Sequence, residues 1–146
     1  MVQMVDTVAE RSEGLVLLLG RLAIAALYLP SGFGKLRSLT TPDNPFAHYL
    51  AGHGVPGPVI VWAWLAALIE FFATLAIVLG FRTRVAAILL FVFTIIAAFI
   101  GHSYWNFADA AARTPQYINF WKDIAIAGGL LFLFAHGAGP LSLDRR

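Results

Sequence analysis

Four long apolar runs, separated by turn-rich or charged stretches, dominate the pattern of this chain. Residues 14–34 contain one charge, Arg21, residues 57–81 contain one, Glu70, and residues 85–101 contain none. A fourth run begins near Tyr117, and its uncharged part, 124–143, outlasts the helix, which is expected to end near His136 and Gly137. A hydrocarbon core is crossed by about 20 helical residues, so four crossings are predicted, over approximately 14–36, 57–80, 84–102 and 117–136. The fold class that follows is all-α, a membrane four-helix bundle with antiparallel up-down topology, occupying 1–146 as a single domain. Pro30 and the Ser31-Gly32-Phe33-Gly34 run are expected to kink or fray the end of the first helix. The stretch containing Pro42, Asp43, Asn44, Pro45, Gly52, Gly54 and Pro56 reads as a long loop, and that containing His102, Trp105, Asn106, Asp109, Arg113 and Pro115 as a second.

Composition agrees with lipid as the solvent. The chain is 60% hydrophobic and 12% charged, with a mean hydropathy of +0.78, against about 25% charged residues in a soluble domain. Without cysteine it can form neither a disulfide nor a thiolate-held cluster. The net charge of +2, spread over scattered basic residues, forms no nucleic-acid patch. Asp6, Glu10 and Glu13 accompany Arg11 before the first apolar run, which is unlike a positive leader segment, so that run is expected to be a retained helix. Even-numbered crossing places both termini on one side with the short Arg82/Arg84 turn. Arg11, Arg82, Arg84, Arg145 and Arg146 then oppose Lys35, Arg37, Arg113 and Lys122, which points to a multi-pass cell-membrane protein with cytoplasmic termini.

A charge near the bilayer centre costs about 2.5–3.5 kcal/mol on insertion scales, so Arg21 and Glu70 must face protein or water. Helix rise puts them within a guanidinium's reach of each other, and the expectation is a buried ion pair between Arg21 and Glu70. Arg21, Tyr28, Gly32 and Lys35 share one stripe of the first helix, while Asn119, Lys122 and Asp123 share a face of the fourth. Lys35, Glu70, His102, Asn119 and Lys122 are therefore candidate ligand-binding residues around one mouth of the bundle. Snorkelling charges at helix ends are the structural alternative. Trp62, Trp64, Trp105 and Trp121 are assigned to the same membrane face, as an interfacial belt or as a platform for a flat ring. The spacing of the four histidines suits no metal, and no catalytic residue is assigned. Gly128-Gly129 and Ala97-Ala98 read as close helix packing.

Taken in order, these features resemble the DoxX family of small four-helix membrane proteins. The resemblance is carried by Arg21, by Ser31-Gly32-Phe33-Gly34-Lys35-Leu36, by Glu70, by Gly80-Phe81-Arg82-Thr83-Arg84, by His102 and by Gly137-Ala138-Gly139-Pro140-Leu141-Ser142-Leu143-Asp144. It implies a family with few defined activities, in which some members are linked to respiratory sulfur oxidation as a membrane subunit of thiosulfate:quinone oxidoreductase and others are associated with membrane-bound oxidative-stress complexes. The first expectation is a quinone-associated subunit, with no covalent cofactor, that sits in the lipid bilayer beside a soluble or membrane oxidoreductase partner. The second is a structural or assembly protein with no ligand, whose polar seam only organises helices. Solute permeation is weaker, because four short helices leave little room for a pathway.

Overall fold

The computed structural model describes residues 1–144; Arg145 and Arg146, both counted in the charge asymmetry, lie outside the described residues. Five α-helices follow one another: α1 (Val2–Leu39), α2 (Pro45–Gly52), α3 (Val59–Leu79), α4 (Thr83–Gly101) and α5 (Ala110–His136), with a single 3-10 turn at Tyr104–Asn106 before α5. Among the described residues four of these, α1, α3, α4 and α5, are long and apolar enough to cross a membrane, and there is no strand. The protein is a multi-pass integral membrane protein. Helices α1 and α3, α3 and α4, and α4 and α5 pack as neighbours, and the short α3–α4 turn makes that pair antiparallel. One end of the bundle, the turn face, carries the α3–α4 turn and residues 137–144. The other, the loop face, carries α2 and the α4–α5 connection.

The helices extend beyond the apolar runs that announced them. With 38 residues, α1 is about 57 Å long, well over the roughly 30 Å of a hydrocarbon core. Its first three turns are exposed and project from the turn face. It also runs through Pro30 and on to Leu39 instead of fraying there. Helix α5 starts at Ala110 because Asp109 caps it, its carboxylate accepting from the Ala112 amide at 2.9 Å. The first loop is not wholly irregular: Pro45 opens α2 at a position where a missing N–H costs nothing.

Small residues make the bundle close. Ala63, Ala67, Ala87 and Ala98 are completely buried, as expected where lipid supplies no hydrophobic drive and helices are held by van der Waals packing. At Gly32 an added Cβ would lie 2.9 Å from the Phe71 backbone nitrogen, so α1 and α3 touch there backbone to backbone. The reading of Gly128 and Gly129 as packing residues is corrected: a Cβ at either would meet nothing within 4 Å.

Candidate functional site

Both intramembrane charges are buried, each 1% exposed, but they do not pair with each other. Contact of Gly32 with Phe71 sets Glu70 level with the turn of α1 that ends at Lys35. Arg21 lies eleven residues from Gly32 towards the turn face, about 16 Å along the helix and beyond a guanidinium's reach. Glu70 is met instead by Lys35, whose Nζ donates to Glu70 Oε2 and, at 3.0 Å, to Ser31 Oγ. The Lys35 ammonium also stands 5.4 Å from the Phe46 ring centre and 5.3 Å from that of Phe93, where ring quadrupoles favour a cation.

Arg21 finds carbonyls. Its Nη1 donates to Val78 O at 3.2 Å and Ile77 O at 3.4 Å, and its Nη2 donates to Leu141 O. The last carbonyls of α3 carry the negative end of the helix dipole, so a buried cation is stabilised there. Around this point the 137–144 segment is stapled under the bundle. Leu143 N donates to Leu79 O and Asp144 N to Gly80 O, while the Asp144 carboxylate accepts from the Arg82 and Thr83 amides, both at 2.8 Å. Asp144 thus caps α4 from the far end of the sequence. Gly80, at φ +64°, leaves no space for a side chain: a Cβ would fall 2.5 Å from Arg21 Nη1 and 2.3 Å from Ser142 Cβ. The charged and glycine motifs of the turn face are parts of one clasp.

On the loop face the helices enclose a cavity of about 580 Å³. Its wall is apolar, from Leu65, Ala66 and Ile69 of α3, Val92, Phe93, Ile96 and Ala97 of α4, and Phe46, Tyr49 and Leu50 of α2. Lys35 and His102 provide its polar groups. Leu65, Val92 and Ile96 are about half exposed, so the mouth opens sideways to lipid between α3 and α4. Helix α2 closes the top, with the Tyr49 hydroxyl against Gly101; burial pushes that hydroxyl's pKa up. Trp62 Nε1 donates to Pro56 O at 3.0 Å and holds the α2–α3 loop to the rim.

His102 is oriented by a residue that sequence reasoning missed: its Nδ1 lies 2.7 Å from Gln116 Oε1. As the amide oxygen only accepts, Nδ1 carries the proton, and Nε2 faces Asp123 Oδ2 at 3.8 Å. Asp123 is in electrostatic reach of both His102 and Lys35, and Tyr28 of both Asp123 and Glu70. Thr94 donates to Leu90 O at 2.6 Å, so Tyr28, 2.7 Å away, must be the donor to Thr94 Oγ1. A polar seam therefore crosses the bundle through α1, α3, α4 and α5 beside the apolar cavity.

Of the five candidate ligand residues, Lys35 and His102 line the cavity and Glu70 stands behind Lys35. Asn119 is partly buried outside the lining, and Lys122 is exposed, one position round the helix from the inward-facing Asp123. Of the tryptophans only Trp62 lines the cavity. Trp105 and Trp121 instead pack edge-on against Phe120, with ring centres 5.6 and 5.5 Å from it. Among the described residues no cluster suits a metal ion.

The model of the DoxX family matches residues 16–103. The chain is 39% identical to the inner membrane protein YphA of Escherichia coli (strain K12), over 90% of this chain and 89% of that protein. It is 33% identical to the inner membrane protein YqjF of the same strain, over 93% of this chain and 95% of that protein. A more distant similarity, 25% identity over 78% of this chain and 39% of the relative, is to the ER-derived vesicles protein ERV29 of Saccharomyces cerevisiae. No solved structure matches.

Proposed function

This chain belongs to the DoxX family, and from that premise we propose that it is a membrane subunit holding a quinone-class ring in the loop-face cavity, in support of electron transfer by a partner oxidoreductase. The observation that carries this reading is an apolar, membrane-open cavity of about 580 Å³ with Lys35 and His102 as its polar groups. Small-molecule sites fall in the range of about 300–1,000 Å³, largely apolar with few polar groups that fix orientation. A quinone supplies two carbonyl oxygens and takes up electrons and protons together.

The residues fit such a group. The Lys35 ammonium, held by Glu70 and Ser31, is a donor for one oxygen. His102, protonated at Nδ1 by its bond to Gln116, leaves Nε2 for proton exchange with Asp123 at hand as a reservoir. Apolar walls exclude water, and the side opening suits a lipid-soluble molecule arriving from the bilayer. Titration of the full chain in lipid nanodiscs with a short-chain quinone, followed by quenching of Trp62 fluorescence, tests the reading. Saturable quenching that disappears when Trp62 is replaced by Phe supports it; none at concentrations that saturate the lipid abandons it.

A second reading, a structural or assembly protein without a ligand, is favoured by the Lys35–Glu70 pair and the Arg21 clasp, each of which accounts for a buried charge as architecture. Identification of what co-purifies in mild detergent separates the two.

A further inference from the structure

A second cavity, of about 460 Å³, lies on the opposite membrane face, where the start of α4 meets the end of α5. Arg82 and Arg84 line it beside His136, and Asp144 is the charge that opposes the two guanidinium groups. Both carboxylate oxygens of Asp144 already accept backbone amides, from Arg82 and Thr83. Neither the Arg82 nor the Arg84 guanidinium forms an ion pair with a described residue. Thr83, also in the lining, is fully buried, and its hydroxyl has no hydrogen-bond partner among the described residues. The pocket thus gathers more cationic donors than the fold itself uses.

Its setting narrows the ligand. Phe81, in the α3–α4 turn, and Leu143, in the 137–144 segment, belong to the lining, and Val85 and Phe132 occupy the adjoining turns of α4 and α5, two helices that face lipid; all four are more than half exposed. We infer that this pocket binds a phosphodiester anion, presented as the headgroup of an anionic phospholipid whose acyl chains lie along α4 and α5. The planar guanidinium of Arg84 can bond two phosphate oxygens at once. Basic pockets between membrane helices attract anionic headgroups in this way, each Arg contributing to the attraction near the surface. The inference is independent of the loop-face cavity, since it uses other residues on the other side of the membrane.

Native mass spectrometry of the full chain, from detergent micelles containing equal amounts of phosphatidylglycerol and phosphatidylcholine, tests it. Phosphatidylglycerol should be retained in preference. Arg84→Gln and Arg82→Gln should each lower that retention about fivefold, whereas Arg113→Gln, on the loop face, should not change it. Arg84 is exposed and has no ion-pair partner among the described residues, so Arg84→Gln should leave helix content and melting temperature unchanged. A parallel arm adds inorganic phosphate alone. If phosphate raises the melting temperature while phosphatidylglycerol is not retained, the ligand is a free phosphate and the lipid assignment falls. Equal retention of the two lipids, or an equal loss in the Arg113 variant, overturns the site.

Discussion

Arg21 and Leu141, 120 residues apart in sequence, are joined by a bond from the guanidinium Nη2 to the Leu141 carbonyl oxygen. The same guanidinium holds the last turn of α3, so one side chain ties the first membrane helix, the second, and the segment after the last. Arg21→Met keeps the aliphatic stem and removes all three donor contacts. Charged hydrogen bonds are worth about 1.5–3 kcal/mol each, offset by the relief of burying a cation, so the bundle should lose on the order of 3 kcal/mol. Arg21→Lys should recover only part, since an ammonium lacks the forked geometry. Thermal unfolding in detergent, with protease access to the 137–144 segment, measures both effects; an Arg21→Met protein with wild-type melting and a protected segment would show that the clasp holds nothing.

Lys35 and Glu70 should couple, and Arg21 and Glu70 should not. Breaking a buried pair by removing one partner costs about 3–5 kcal/mol, most of it from the stranded charge. Lys35→Met and Glu70→Gln should each destabilise on this scale, discounted for the partial exposure of Lys35, and the double variant should recover much of the loss. By contrast Arg21→Met with Glu70→Gln should be additive, because these sites are more than about 10 Å apart. Coupling found in the second cycle and not in the first would reverse the assignment made here.

The membrane bundle was readable from the sequence because about 20 apolar residues in a row leave a chain few alternatives to a crossing helix. The burial of Arg21 and Glu70 was readable for the same reason: lipid does not tolerate them. Their partners were not. Pairing depends on the relative height of two helices, and that is set by the contact of Gly32 with Phe71, which no periodicity announces. Asp144 caps α4 across more than sixty residues, a relation that only the folded chain creates. Signals for α2 and for the early start of α5 were present, in Pro45 after Asn44 and in Asp109 ahead of Ala110, yet a search for apolar runs passes over them. Gln116 was missed because a lone polar residue near a helix start carries no pattern.

The positive-inside rule predicts the Arg82/Arg84 turn in the cytoplasm. The chain contains no cysteine, so single thiols report without background. Phe81→Cys, at an exposed position of the turn face, and His48→Cys, on α2, are suitable sites. A membrane-impermeant maleimide applied to intact cells should label the His48 variant and leave the Phe81 variant unlabelled. The reverse pattern places the termini outside.

The loop-face cavity requires a variant that separates binding from folding, and the Lys35–Glu70 pair decides which one. Glu70→Gln cannot serve, since it strands the Lys35 ammonium and weakens the bundle together with any ligand site. Ile69→Trp is better placed. Ile69 lines the cavity, and a larger side chain directed into existing space avoids the roughly 1–3 kcal/mol of strain that overpacking a filled core brings. The indole would occupy the volume a ring ligand needs while leaving Lys35, Glu70 and His102 in place. Stability should therefore stay near wild type while quinone binding falls at least tenfold. His102→Ala, at the other polar group, should weaken binding by a smaller factor, because the apolar wall remains and only one hydrogen-bonding group is lost. If the Ile69→Trp protein binds quinone as the wild type does, the ring does not sit in this cavity, and the polar seam of Tyr28, Lys35, Glu70, Thr94, His102 and Asp123 is architecture alone.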